Sequence, residues 1–281
     1  MPIFAGGIRI WQAPLPDNIF TAKHIESSLG WCKKKGVREV CLTAWAYAKT
    51  IYQTALLELC RWGELSYNDT SSDLASRFEF ITGASYEAFV KMSCFNSVYE
   101  TDEDIKNAWY DGSLFGNRFF ESDILLNTME ADLIDRPLSG YFNGIADYFR
   151  TLVGKDPEWD YLYRYTLGNF DALATKCLIC ENLTPAYKSG DREMLRKIAE
   201  ELLPRYIRNI DEIGVWHNYH KDKYLRPFGM EIMDEAYGAK KERAMTVIRR
   251  ISYYLDGKLS SLPELEVPKY HYKGGPVKVK N

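Results

Sequence analysis

Residues 3–11 read IFAGGIRIW and residues 37–45 read VREVCLTAW, and these two stretches decide the fold. Both are short, mostly apolar runs bounded by turn signals, the pattern of strands rather than helices. Between them Pro14 and Pro16 break the chain, and Asp17-Asn18 offer side-chain oxygens to start a helix. From Ala22 to Lys35 the apolar positions Ile25, Leu29 and Cys32 fall on one helical face. Lys33-Lys34-Lys35 suit the negative end of that helix, and Gly36 suits its left-handed stop. A second helix is expected over about Tyr52 to Leu65. The order strand, helix, strand, helix implies parallel strands and a right-handed crossover.

Past residue 70 the periodicity is helical almost to the end. Leu195, Ile198, Leu202, Tyr206, Ile210 and Ile213 recur every three or four residues from Asp191 onward, an apolar stripe preceded by Ser189-Gly190. Asp156-Pro157-Glu158 is read as the start of another helix, running through Leu162, Tyr165, Phe170, Leu173 and Leu178 towards Leu183. Ala239 to Leu255 forms a third, ending at Asp256-Gly257, and the tail from Pro263 reads as irregular. Long helices joined by short polar turns predict antiparallel neighbours in a bundle. The expected class is mainly α: a short βαβα unit over residues 1–65, then a helical, bundle-like domain over residues 66–281.

Composition narrows the function classes. Of 281 residues, 46% are hydrophobic and 27% charged, which excludes a disordered chain and a small disulfide scaffold. The net charge of -3 argues against a nucleic-acid binder. No run approaches the ~20 apolar residues of a membrane span, and no basic segment leads into an apolar stretch at Met1. These absences predict a cytoplasmic protein with no membrane partner. Six cysteines, Cys32, Cys41, Cys60, Cys94, Cys177 and Cys180, sit mostly inside apolar patterns and read as reduced thiols. The 20 Tyr, 13 Phe and 7 Trp suit either a dense core or rings that stack on sugars.

The chemistry-bearing motifs are sparse. Cys177-Leu178-Ile179-Cys180 lacks the second ligand pair of a zinc site and the βαβ context of a redox site, so buried cysteines are expected. His217 and His220 share a helical face but need a third ligand, such as Asp222 or Glu231, to hold zinc. Neither a metal nor a cofactor is expected. Asp211-Glu212 and Asp234-Glu235 lie in helical patterns and read as solvated faces rather than catalytic pairs.

One physical difficulty remains. A single βαβα unit cannot bury both faces of two parallel strands, which need further strands or helices around them.

Residues 4–11 (FAGGIRIW) and 37–45 (VREVCLTAW) resemble the last two barrel strands of family 20 glycoside hydrolases. The likeness is to the exo-β-N-acetylhexosaminidase subgroup that carries a helical C-terminal domain. It continues through residues 122–134 (SDILLNTMEADLI), 173–213 (LATKCLICENLTPAYKSGDREMLRKIAEELLPRYIRNIDEI) and 227–265 (PFGMEIMDEAYGAKKERAMTVIRRISYYLDGKLSSLPEL), covering about residues 4–267. The resemblance implies that residues 1–65 are the last repeats of a (β/α)8 barrel. It implies release of terminal N-acetyl-β-hexosamine by substrate-assisted hydrolysis, outside the usual two-carboxylate scheme. The Asp-Glu pair of that chemistry belongs to an earlier barrel strand that nothing in this sequence matches. No catalytic residue is therefore expected here, and the chain is read as part of a larger unit, since such a barrel needs on the order of 250 residues alone.

What the resemblance leaves to this chain is part of a sugar pocket. Trp11 and Trp45 end the two strands, where barrel enzymes place their sites. The loop after Trp45, with Tyr47 and Gln53, lacks the acidic residue common in the family. The candidate substrate-binding residues are Trp11, Trp45, Tyr47 and Gln53. Trp62-Gly63-Glu64 imitates the missing acidic motif but belongs in the following helix. The expected ligand is an N-acetylhexosamine-containing glycan, with an upstream segment or partner completing the barrel. The alternative is a non-catalytic helical interaction or assembly module, or a truncated relic.

Overall fold

The computed structural model describes residues 2–11, 13–46, 49–69, 73–96, 98, 115–127, 129–135, 137–226 and 228–269. Two compact units divide the chain, Met1–Arg118 and Phe119–Asn281.

In the first unit, β1 (Ile3–Ile8) and β2 (Glu39–Ala44) pair in parallel, with Ile3 opposite Glu39 and Ile8 opposite Ala44. Both strands stop short of the tryptophans that close the expected runs. Helix α1 (Asn18–Lys34) makes the crossover. Asp17 caps it, its Oδ1 accepting the Phe20 N–H at 3.2 Å. Lys33 and Lys34 occupy the last turn and Gly36 follows at φ +67, so the signals written at both helix ends are used. A 3₁₀ turn, Tyr52–Ala55, leads into α2 (Leu56–Tyr67); α3 (Leu74–Thr82) and α4 (Tyr86–Met92) follow.

Alternation along the strands gives the sheet two unlike faces. Phe4, Val40 and Leu42 pack against Ile25, Leu29, Trp62 and Leu65 of α1 and α2. Burying one such side chain contributes roughly 1.5–3 kcal/mol. Gly6 is required there, because a Cβ on it would lie 2.5 Å from the Trp62 ring. The other face carries Ile3, Ala5, Gly7, Glu39, Cys41 and Thr43. Ile3 is 63% exposed, and Ala5 and Cys41 are also exposed. Among the described residues the sheet has two strands, so one of its faces is covered by helices and the other is open.

The strand-bearing unit runs past residue 65 because later residues fasten onto it. Asn18 donates through Nδ2 to Phe89 O and through its backbone N–H to Ser93 Oγ, both at 2.9 Å. Asn96 Nδ2 donates to Leu15 O at 3.1 Å. The strand-to-helix change near residue 65 and the division between compact units are thus different boundaries.

Helix α5 (Phe115–Glu121) spans that division. The second unit is helical: α6 (Glu130–Asp135), α7 (Ser139–Leu152), α8 (Asp160–Ser189), α9 (Arg192–Lys197), α10 (Leu203–Tyr224), α11 (Met230–Leu255) and α12 (Pro263–Glu266). Helix α8 is buried on most sides, through Leu162, Tyr165, Phe170, Leu173, Cys177, Ile179 and Leu183, as a central helix must be. Helices α7 and α10 pack along it. Gly168 of α8 lets α10 approach closely: a Cβ there would sit 3.1 Å from Ile213 Cγ1. All six residues of the expected stripe, Leu195 to Ile213, are buried.

Three boundaries differ from the sequence reading. Helix α8 starts at Asp160, because Asp156 Oδ1 takes the Glu158 N–H at 3.0 Å in a turn that keeps Pro157 outside the helix. Between α9 and α10 lies a π turn, Ile198–Leu202, just before Pro204, which has no N–H to give the preceding turn. Helix α11 begins at Met230, ahead of Ala239. The tail from Pro263, expected to be irregular, opens with the single turn of α12, and its residues beyond 269 lie outside the described ones.

Charged groups tie this unit together from inside. The ammonium of Lys176, buried in α8, donates to Phe119 O at 2.6 Å, to Phe120 O at 3.1 Å and to Ser122 O. Burial pushes it down to about 8, so it stays charged at neutral pH. Glu181 of α8 accepts the backbone N–H groups of Leu138 and Ser139, each at 2.8 Å, and the Ser139 hydroxyl at 2.6 Å. It therefore caps the start of α7 from a neighbouring helix.

Candidate functional site

Trp11 and Trp45 stand just past the C-terminal ends of β1 and β2, 37% and 69% exposed. The loop that carries Trp11 is held down tightly. Ala13, Pro14, Leu15, Pro16 and Asp17 are all buried. Thr50 Oγ1 lies 2.9 Å from Ile10 O and 2.5 Å from Ala13 O, in reach of donating to either. The Arg9 guanidinium sits 4.2 Å over the Phe20 ring and 3.7 Å from Asp17 Oδ2. The Arg9 N–H donates to Thr21 Oγ1 at 3.1 Å. An indole on such a loop has little freedom to swing.

Gly7 fixes where that indole rests. A Cβ on Gly7 would lie 3.2 Å from the Trp11 ring and 3.5 Å from Thr43 Oγ1. Gly7 points to the open face of the sheet, so Trp11 folds back over that face beside Thr43. Thr43 donates to Gly6 O at 2.9 Å, which ties the two strands at this end. Trp45 projects from the end of β2. Gln53 lies partly exposed in the 3₁₀ turn before α2. Tyr47 lies outside the described residues.

The structure thus brings Trp11 onto the open face with two residues the sequence reading passed over, Gly7 and Thr43. Period-two alternation through GGI and CLT puts both on one face, and that was the available signal. The chemistry on offer is an apolar ring face, a hydroxyl and exposed backbone edges. The one carboxylate on this face among the described residues, Glu39, stands opposite Ile3 at the other end of the strand pair, so the groups gathered at the strand ends are ones that bind and orient.

Among the described residues of this unit, Glu58 of α2 is the carboxyl that departs furthest from ordinary behaviour. It is fully buried, and burial pushes it up to about 7 against the pull of Arg61. Arg61 Nε donates to its Oε2 at 3.0 Å and Arg61 Nη1 reaches Glu26 at 3.1 Å. Glu58 Oε1 has no hydrogen-bond partner among the described residues. Trp62-Gly63-Glu64 falls in the same helix, with Trp62 buried under the sheet, as its register required. Glu64 is held by Arg77, at 2.6 Å.

The motifs of the second unit resolve as structural. Asp211 pairs with Lys241 at 2.7 Å and Glu212 Oε2 accepts the Trp216 indole N–H at 3.3 Å. Both residues are exposed, as are Asp234 and Glu235. His217 is buried with Nδ1 3.0 Å from the Tyr237 hydroxyl. His220 stacks on Tyr161 with centroids 5.9 Å apart, and burial pushes it down to about 4. Asp222 and Glu231 are exposed, and no group of three potential metal ligands forms among the described residues. Cys177 and Cys180 are buried in α8; burial raises both thiols, Cys180 to about 12. They are therefore protonated and unreactive at neutral pH. No described helix is long and apolar enough to cross a membrane.

Comparison with known families adds what geometry cannot. The family described as Glycoside Hydrolase 20C C-terminal domain matches residues 88–280, more than half of the chain. The chain belongs to that family. No curated protein matches it.

Proposed function

We propose that this member of the glycoside hydrolase 20C C-terminal domain family serves as the C-terminal part of a β-N-acetylhexosaminidase-like enzyme. On this reading residues 1–65 are the last repeats of a (β/α)8 barrel. The open face of β1 and β2 is its interior, and Trp11 and Trp45 wall a pocket for a terminal N-acetylhexosamine. Tyr47 and Gln53 stand beside them as hydrogen-bonding candidates. The acid and the acetamido-orienting carboxylate of substrate-assisted hydrolysis come from outside these 281 residues, so the chain binds but does not cleave.

The observation that carries the reading is the position of Trp11. Its indole lies over Gly7, on the uncovered face and at the C-terminal end of a parallel pair, where barrel enzymes build their sites. An indole there offers an apolar face to sugar C–H groups. The competing reading, a non-catalytic interaction or assembly module, draws support from Phe80 and Ile81 of α3, which are 91% and 69% exposed.

Titration of the chain with N-acetylglucosamine, followed by tryptophan fluorescence, separates the two. The pocket reading expects a saturable change that Trp45→Ala weakens by about tenfold. No saturable change in either protein sinks the pocket and leaves the interaction module.

A further inference from the structure

In the second unit, α7, α8 and α10 line an open groove of about 500 Å³. The same helices close the protein core with apolar residues on their other sides, among them Phe142, Phe149, Phe170 and Leu173. A helix seam is ordinarily sealed by such residues. Here it opens instead onto Asn143, Thr175, Asn209, Arg150, Asp171 and Arg205.

The charges in the groove are unevenly paired. The Arg150 guanidinium is engaged by Asp147 and Asp171. Arg205 makes no hydrogen bond and no ion pair among the described residues, and acts on Asp171 only through space. Both nearby carboxylates, Asp147 and Asp171, are thus taken up by Arg150, and the exposed Arg205 is left without a direct partner among the described residues. The neutral groups are also partly uncommitted. Asn209 Nδ2 donates to Thr175 Oγ1 at 3.1 Å, which leaves the Asn209 carbonyl and the Thr175 hydroxyl proton to a ligand. Asn143 makes no hydrogen bond among the described residues. Gly140 keeps the wall low: a Cβ on it would meet no atom within 4 Å.

We propose that this groove binds a saccharide bearing a single anionic group, a sugar acid or a sugar phosphate. Arg205 takes the anionic group, and Asn143, Asn209 and Thr175 take the hydroxyls. Guanidinium is the side chain best suited to a carboxylate or phosphate, and amides and hydroxyls match the alternating donors and acceptors of a sugar rim. The volume lies within the range of small-molecule sites. Membership of a glycoside hydrolase family makes saccharides the ligand class to expect. The site does not depend on the strand-end pocket.

Calorimetric titration of the chain tests it with four probes: N-acetylglucosamine 6-phosphate, glucuronic acid, N-acetylglucosamine and inorganic phosphate. Saturable binding of either charged sugar is expected, and which one binds identifies the anionic group. In the Trp45→Ala chain, where the strand-end pocket is weakened, the neutral sugar and free phosphate should each bind at least about tenfold more weakly than the charged sugar. Arg205→Gln should lose about tenfold. Gly140→Leu should block the groove while melting no lower than the parent, since Leu is a good helix former entering open space. Trp45→Ala should leave this binding unchanged, which keeps the result separate from that of the strand-end pocket. The proposal is overturned if neither charged sugar saturates, if both groove variants bind as the parent does, or if, in the Trp45→Ala chain, phosphate or the neutral sugar binds as tightly as the charged sugars.

Discussion

Gly6 and Gly7 show how much a single residue decides in this molecule. One faces the helices and the other the open side, and an indole lies against each: Trp62 excludes a Cβ at Gly6, and Trp11 leaves a tight fit for one at Gly7. The dipeptide was legible as a feature of the strand. Its purpose was not, because the rings that need the space come 56 and 4 residues later in the chain and contact is not written in local order. Trp45 and Trp11 were found from their position at strand ends, whereas Thr43 emerged only from the face it shares with Gly7. Glu58 carries a prediction at this scale. Its carboxyl titrates near 7 when folded and near 4.5 when unfolded. Between those values the folded state holds more protons than the unfolded state, so this group makes stability fall as pH rises from about 4.5 to 7. The full effect is on the order of 3 kcal/mol. Denaturation of the parent and Glu58→Gln across that range should give free-energy curves whose difference slopes in this sense. Parallel curves would show that Glu58 ionises as freely in the folded chain as in the unfolded one.

At the scale of the element, helices announced themselves wherever caps and stripes agreed. Asp17 and Gly36 bound α1, and the Gly190-Asp191 turn joins α8 to α9. There Gly190 takes φ +72 and Asp191 Oδ1 accepts the Met194 N–H at 2.9 Å. What local pattern could not carry was any device reaching between elements. The start of α7 has no cap of its own; Glu181, forty residues on in α8, supplies it. Removing that carboxylate leaves two N–H groups at a helix start without acceptors. Glu181→Ala should therefore lower the unfolding free energy by about 1–2 kcal/mol. Glu181→Gln, which keeps one carbonyl oxygen, should lose less. Urea titrations of the three proteins check this, and equal midpoints would mean that the cap contributes nothing. The π turn before Pro204 was likewise out of reach, since a stripe of apolar residues reads the same through one extra residue per turn.

For the whole molecule, the class and the helical character followed from periodicity, while the division at Arg118 did not. Helical pattern runs unbroken across it, and the bonds that fasten Asn18 to Phe89 and Ser93 span more than seventy residues. A parallel pair with one face open is the physical core of the functional account, because such strands are stable when both faces are covered. At its C-terminal end the open face bears aromatic and hydroxyl groups, its carboxylate Glu39 stands at the opposite end, and the Asp-Glu dipeptides of the second unit lie exposed on helices. On the proposed reading, sugar recognition and sugar cleavage fall to different stretches of protein. The most direct test is turnover of an aryl N-acetyl-β-glucosaminide by the purified 281-residue chain. The account predicts no hydrolysis above that of buffer. Measurable turnover that disappears on Asp234→Asn, Glu58→Gln or substitution of another of the chain's own carboxylates would contradict it.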